Sequence, residues 1–202
     1  MIEERSMNKG KIFVIIGVFL ILISLAMTIY NKYEDLNAGK QARNALSQIK
    51  EEIVAQNHIV ESLITETEVK EMKTVNINGN EFIGTITIPA INLELPVMSE
   101  YSYSRLKKAP CRYYGNLFTN DLIICAHAYK TFFGELDRLK PKDLIAFTDV
   151  DGNNYFYEVV EIEILKPTDV DKMINNEFDL TLYTCTSDNM NRVTVRCNRV
   201  EI

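Results

Sequence analysis

Thr181-Leu182-Tyr183-Thr184-Cys185 is followed by the turn-prone loop Thr186 to Asn191 and then by Arg192-Val193-Thr194-Val195-Arg196. β-branched and aromatic side chains on both sides of such a loop predict two antiparallel strands, 181–185 and 192–197, with 186–191 between them. In the simplest register Arg192 stands across from Cys185. A thiol and a guanidinium then share one rim of the sheet. A fixed cation beside a thiol favours the nucleophilic thiolate, and a guanidinium can hold a developing oxyanion. A loop of this length pins register less tightly than a two-residue turn. Arg196 lies in phase with Arg192, four residues or roughly 13 Å further from the turn. Arg192 is therefore preferred as the site residue.

Upstream, Leu122-Ile123-Ile124-Cys125-Ala126 is an apolar run of the kind a strand buried on both faces shows. It ends on His127, the sole histidine of the β-rich region, with Ala126 and Ala128 leaving room beside it. An imidazole at a strand exit is placed for acid/base work. Thr131 to Leu139 reads as a helical turn or two able to cover such a site, and Leu144 to Phe147 as the next strand.

The rest of the segment after Val75 is also β in character. Asn76 to Asn80 reads as a turn, and Gly84-Thr85-Ile86-Thr87-Ile88 alternates until Pro89 stops it. Leu93 to Val97 alternates again, and 99–120 reads as a tyrosine-rich, turn-rich connection. Asp149 to Asn154 has its glycine, Gly152, out of the position a calcium loop needs, lacks the distal glutamate and is read as a hairpin turn. Tyr155 to Leu165 is a long strand with Phe156, Glu158, Val160, Ile162 and Ile164 expected on one face, and Asp169 to Phe178 is read as a short helix. Seven or eight short strands with few helices predict an all-β barrel or sandwich.

In front of this domain, Ile12 to Tyr30 contains no charge and is rich in Ile, Leu, Val and Phe. Roughly 20 such residues span a bilayer core, so 12–30 is expected to be a transmembrane signal-anchor; the run is longer than a cleaved signal's apolar region and has no small-x-small exit. Arg5, Lys9 and Lys11 precede it, with only Lys32 close behind, so 1–11 is assigned to the cytoplasm and the C-terminal part to the exterior. Residues 34–73 carry Leu46, Ile49, Ile53, Val60 and Leu63 at helical spacing, the docking face of a helix within the linker 31–74. His58 on that segment is read as a solvated or packing residue. From residue 31 onward there are 19 Lys and Arg against 26 Asp and Glu, which gives no basic footprint for nucleic acid.

The cysteines at 111, 125, 185 and 197 all follow the anchor. Disulfides are permitted outside the cell, but no short spacing marks a framework. Cys197 falls about five ladder positions from Cys185, too far to bridge it. Cys185 is read as a free thiol, and Cys111, Cys125 and Cys197 as small buried side chains whose disulfide state stays open. A metal cluster of Cys125, His127, Cys185 and Cys197 is rejected because no Cys-x-x-Cys pair is present.

Taken together, Thr181-Leu182-Tyr183-Thr184-Cys185, Arg192-Val193-Thr194-Val195 and His127 resemble the sortases, the cysteine transpeptidases of Gram-positive bacterial surfaces. Gly84-x-Ile86-x-Ile88-Pro89, Leu95-Pro96-Val97, Phe133-Gly134-x-Leu136-x-x-Leu139 and the N-terminal anchor add to the match. The resemblance covers about 75–202 and implies an eight-stranded β-barrel. It further implies that Cys185 attacks the threonyl carbonyl of a C-terminal sorting signal, Leu-Pro-x-Thr-Gly or a relative, on a secreted protein. His127 would act as acid and base, Arg192 as oxyanion or backbone ligand, and Thr184 would help bind substrate. A cell-wall or pilin amine would accept the acyl group, no cofactor is called for, and a metal on barrel acids such as Glu158 and Asp149 is the less favoured alternative to a metal-free site. The family often has glycine before the histidine; Ala126 stands there. The competing readings are a cysteine hydrolase using the same pair and a non-catalytic surface-binding module.

Overall fold

A computed structural model describes residues 9–57 and 71–201. The first element is the helix α1 (Lys9–Asn57). Its large apolar side chains from Phe13 to Tyr30 are exposed, and this stretch is apolar and long enough to cross a membrane. The chain divides into two compact units, residues 1–37 and 38–202.

In the second unit, the remainder of α1 lies against the β domain. The expected stripe is present in Ile49, which is fully buried, and in the half-buried Leu46 and Ile53. Small residues carry the rest of the contact: Ala38 and Ala42 are buried in the main core, and a Cβ on Gly39 would lie 2.9 Å from the Thr131 side chain. Residues 34–57 of the expected helix 34–73 are therefore part of a longer one, and 71–74 are not helical. His58, Val60 and Leu63 lie outside the described residues.

The β domain contains β1 (Val75–Ile77), β2 (Asn80–Ile88), β3 (Leu93–Met98), β4 (Cys111–Tyr114), β5 (Leu122–Cys125), β6 (Leu144–Asp149), β7 (Asn154–Leu165), β8 (Leu180–Cys185) and β9 (Arg192–Val200). Eight of them follow one another as β2-β3-β4-β5-β8-β9-β7-β6, and β6 pairs back onto β2. The sheet thus closes into an eight-stranded barrel, with β1 added outside β2. Ile86, Leu95, Ile124, Phe147, Leu182 and Val195 point inward and form its core. The short helices α2 (Tyr103–Leu106) and α3 (Val170–Ile174) lie in connections.

Several local details depart from the sequence pattern. Only Asn78 and Gly79 form the first turn, with φ of 52° and 77°, which suits a two-residue type I′ hairpin; Asn76, Ile77 and Asn80 are strand. The tyrosine-rich connection hides α2 and β4. In β7 a bulge between Val159 and Glu161 shifts the ladder with β9. Tyr155, Tyr157 and Val159 face the core before it, and Ile162 and Ile164 pair with the inward residues Val195 and Val193 after it. The face expected to be continuous from Phe156 to Ile164 is therefore split, because one inserted residue reverses the two-residue alternation. The 149–154 segment is a hairpin turn. The Asp149 carboxylate accepts from the Asp151 and Asn153 amides, the Asn153 side chain and the Tyr155 hydroxyl.

Barrel closure depends on one glycine. Gly84 pairs with Asp149 where β2 meets β6, and a Cβ there would lie 2.1 Å from the Thr148 carbonyl oxygen. Gly84→Ala is expected to lower stability by about 2–3 kcal/mol through backbone overpacking, measurable as a lower midpoint in chemical denaturation.

Candidate active site

β8 and β9 pair with Cys185 opposite Arg192, Thr184 opposite Val193 and Thr181 opposite Arg196. Alternation places Thr181, Tyr183 and Cys185 on the outer face of the barrel, with Arg192, Thr194 and Arg196 beside them, while Leu180 and Leu182 enter the core. The loop between the strands is held by its own side chains. Thr186 accepts from the Asn191 amide at 3.0 Å while its amide donates to the Asn191 carbonyl at 2.9 Å. Asp188 accepts from the Thr186 hydroxyl and from the Met190 amide. Those bonds hold the Asp188 carboxyl below its ordinary range. A loop too long to set register by turn type is thus set by an internal network.

β5 lies parallel to β8 on its other side, with Cys125 partnered to Tyr183. The Ala126 amide continues this pairing by donating to the Tyr183 carbonyl at 3.2 Å. His127 is two residues beyond Cys125, and Cys185 is two residues beyond Tyr183. Parallel strands advance together, so the two chain ends that carry the imidazole and the thiol leave the sheet side by side. The Thr184 hydroxyl donates to the Ala126 carbonyl at 2.8 Å, tying the two strand ends together. Thr184, expected to bind substrate, is only 3% exposed. Its hydroxyl is committed to Ala126, beside His127.

Aromatic rings hold the imidazole. His127 stacks on Tyr129 with centroids 4.8 Å apart, and Tyr103 of α2 meets it edge-on at 5.9 Å. The Nε2 atom is shielded from solvent. The sequence reading missed both tyrosines; an aromatic two residues after a strand-exit histidine was the available signal for Tyr129.

Two cavities of about 240 Å³ each flank this rim. The first contains Arg192, Tyr101, Tyr113, Tyr183, Val170 and Met173. Its tyrosines meet edge to face, Tyr101 with Tyr113 and Tyr113 with Tyr183. Burial, reinforced by the adjacent Cys125, pushes the Tyr183 hydroxyl far above the tyrosine range. Tyr183 is therefore a neutral wall. The second cavity contains Cys185, Ser187, Ala128, Gly134 and the exposed Asp137.

Arg196 has a different occupation from Arg192. It is 1% exposed. Its guanidinium donates to Glu163 and Thr181 at 2.8 and 2.9 Å and to the Lys172 and Met173 carbonyls at 2.8 and 3.4 Å. Those carbonyls belong to α3, so Arg196 pins one wall of the first cavity to the barrel. Arg192 is half-buried and donates to the adjacent Asn191 carbonyl; it remains at the rim with Cys185.

A family model described as the Sortase domain matches residues 86–200. The chain belongs to the sortase family. Sortase A of Bacillus anthracis is 24% identical over 200 residues, covering 94% of this chain and 95% of that protein. The crystal structure of Streptococcus pneumoniae sortase C, described in connection with pilin substrate specificity, has a TM-score of 0.56 and 27% identity, covering 85% of this chain and 96% of its own. Clostridium perfringens sortase C, solved with its C-terminal cell wall sorting motif, has a TM-score of 0.53 and 22% identity, covering 79% and 91%. The expected eight-stranded sortase barrel is the fold observed, and with family membership comes the broad activity of a sortase transpeptidase.

The two arginines separate experimentally. Arg196→Met removes a buried, multiply bonded cation and is expected to cost about 2–4 kcal/mol, whereas Arg192→Met changes stability by less than about 1 kcal/mol. Urea denaturation of the two variants checks the contrast.

Proposed function

We propose that this sortase is a membrane-anchored cysteine transpeptidase in which Cys185, His127 and Arg192 carry the reaction. The observation supporting it most directly is the shared strand height: Cys185 is paired with Arg192 on one side and flanked by the His127 strand on the other. In this reading the Cys185 thiolate attacks the threonyl carbonyl of an Leu-Pro-x-Thr-Gly-like sorting signal on a secreted protein. The Arg192 guanidinium meets the negative charge that develops on the carbonyl oxygen. His127 gives its proton to the leaving amine, so that a Cys185 thioester remains as the C-terminal fragment departs. An incoming amine then attacks the thioester, His127 takes its proton, and Cys185 is restored.

The two cavities suggest how donor and acceptor divide the site. The first offers tyrosine faces, Met173 and Val170, surfaces that suit the apolar leucine and proline of a sorting signal ending at Arg192 and Cys185. The second holds Cys185 with small neighbours and the Asp137 carboxylate, a setting for an amine that arrives as an ammonium group from a cell-wall peptide or pilin lysine. Thr184 acts here through His127 rather than by touching substrate. The apolar part of α1 anchors the chain with its N-terminus in the cytoplasm and the barrel outside, following the positive flank Arg5, Lys9 and Lys11. No metal or cofactor enters these steps.

Incubation of the protein with a panel of sorting-motif peptides, with and without oligoglycine or other amines, tests this reading by mass spectrometry. Cleavage after threonine with an amine-dependent product, abolished in Cys185→Ala and slowed about 10²–10³-fold in Arg192→Ala, is expected. Cleavage indifferent to amine would indicate the hydrolase instead, and an alkylatable Cys185 that forms no acyl-enzyme with any peptide would leave a binding module. Asp137→Asn should leave acyl-enzyme formation intact and lower the ratio of transfer to hydrolysis by roughly 2–5-fold, the scale of one exposed charge interaction. An unchanged ratio would remove Asp137 from the acceptor side.

A further inference from the structure

We propose that Cys111 and Cys125 form a disulfide that crosslinks β4 to β5. The two residues are direct partners across the antiparallel β4–β5 ladder. Direct partners hold their Cα atoms about 4.5–5.5 Å apart, within the span that a disulfide bridges. Both side chains are buried in the same cluster, between the outer face of the barrel and Ile49 of α1, at 0% and 2% exposure. Neither remaining thiol competes. Cys197 stands opposite Leu180 and faces the barrel core. Cys185 lies two residues beyond Tyr183, the partner of Cys125. That diagonal is roughly 8 Å, beyond bridging distance.

The crosslink has a mechanical role in this barrel. β3 meets β4 through a single ladder pair, Met98 with Cys111, while Pro96 has no N–H to extend the pairing. β4 also carries Tyr113 of the first cavity, and β5 leads into His127. A bond from Cys111 to Cys125 fastens this lightly held strand to the one that positions the imidazole. The exported location on which it depends is that of the proposed function, where oxidation is permitted.

Burial pushes both thiols up to about 12, which keeps them protonated and slow to exchange once folded. The bond therefore forms as the chain folds, by exchange with a disulfide oxidant, either a small-molecule disulfide or an oxidised thiol oxidoreductase. The oxidant's S–S bond breaks and is reduced to two thiols, which take up the two protons and two electrons given up by Cys111 and Cys125. The Cys111–Cys125 S–S bond is the one that forms.

The test uses the full chain in detergent with Cys185→Ala, so that the rim thiol adds no mixed disulfide. The protein is unfolded with reductant and refolded in oxidised and reduced glutathione. Expected are a mass loss of two hydrogens, a peptide crosslinked through 111 and 125, and one maleimide-reactive thiol after denaturation where the reduced chain shows three. Reduction should lower the melting midpoint by roughly 5–10 °C. Adding Cys111→Ser or Cys125→Ala should abolish the mass loss in a chain that still folds. Three reactive thiols in the refolded protein, or a bridge that includes Cys197, would overturn the proposal. So would free Cys111 and Cys125 in native membranes whose barrel is cleaved by protease added from outside. A barrel protected from that protease, with both thiols free, would overturn the exported reading as well.

Discussion

The parallel pairing of β5 with β8 is the constraint on which the rest of this molecule depends. Neighbouring parallel strands advance in step, so Cys125 beside Tyr183 makes the two chain ends that carry His127 and Cys185 leave the sheet together. The Thr184 hydroxyl on the Ala126 carbonyl holds that alignment at the point where backbone pairing ends. Everything nearer the rim follows from it. The β8–β9 hairpin adds Arg192 on the far side of the thiol, and the loop after His127 supplies Tyr129 to back the imidazole. Because parallel strands cannot be joined by a tight turn, a long excursion through β6 and β7 must separate the two ends of the site. That excursion closes the barrel against β2.

Burial divides labour between groups that look alike in sequence. Two arginines share one strand face. One is enclosed and satisfied by Glu163, Thr181 and two carbonyls, and the other stands at the rim. The enclosed one holds α3 to the barrel and hence shapes the cavity that the other lines. Likewise, three of the four cysteines are buried while Cys185 is half-buried at a strand end.

Much of this was legible in the sequence because the central hairpin is written in β-branched residues on both sides of a polar loop, and its register emerges as read. The apolar run before His127 was equally plain. What escaped the pattern has physical causes. The β7 bulge is one residue inserted into a ladder, invisible to a two-residue alternation. β4 is short, tyrosine-bearing and framed by turns, so it resembled a loop. The helix docks through Ala38, Gly39 and Ala42, whose fit depends on lacking bulk, whereas periodicity weights large side chains. Arg196 resembled a second site candidate because sequence does not reveal that α3 carbonyls would fold onto it. Thr184 stood next to the thiol in the stretch that ends on Cys185, yet its hydroxyl turns to the backbone.

Ring closure of the sheet also governs how the molecule meets its neighbours. Every strand of the barrel has a partner on both sides along at least part of its length, and β1 lies outside that closure, paired only with β2. It is three residues long, and the turn that follows is tied to Gln48 of α1 through Asn78. So short an edge offers too few unsatisfied backbone groups to template a strand from another chain. β1 therefore finishes the β2 end of the sheet without offering a border on which a second copy could build.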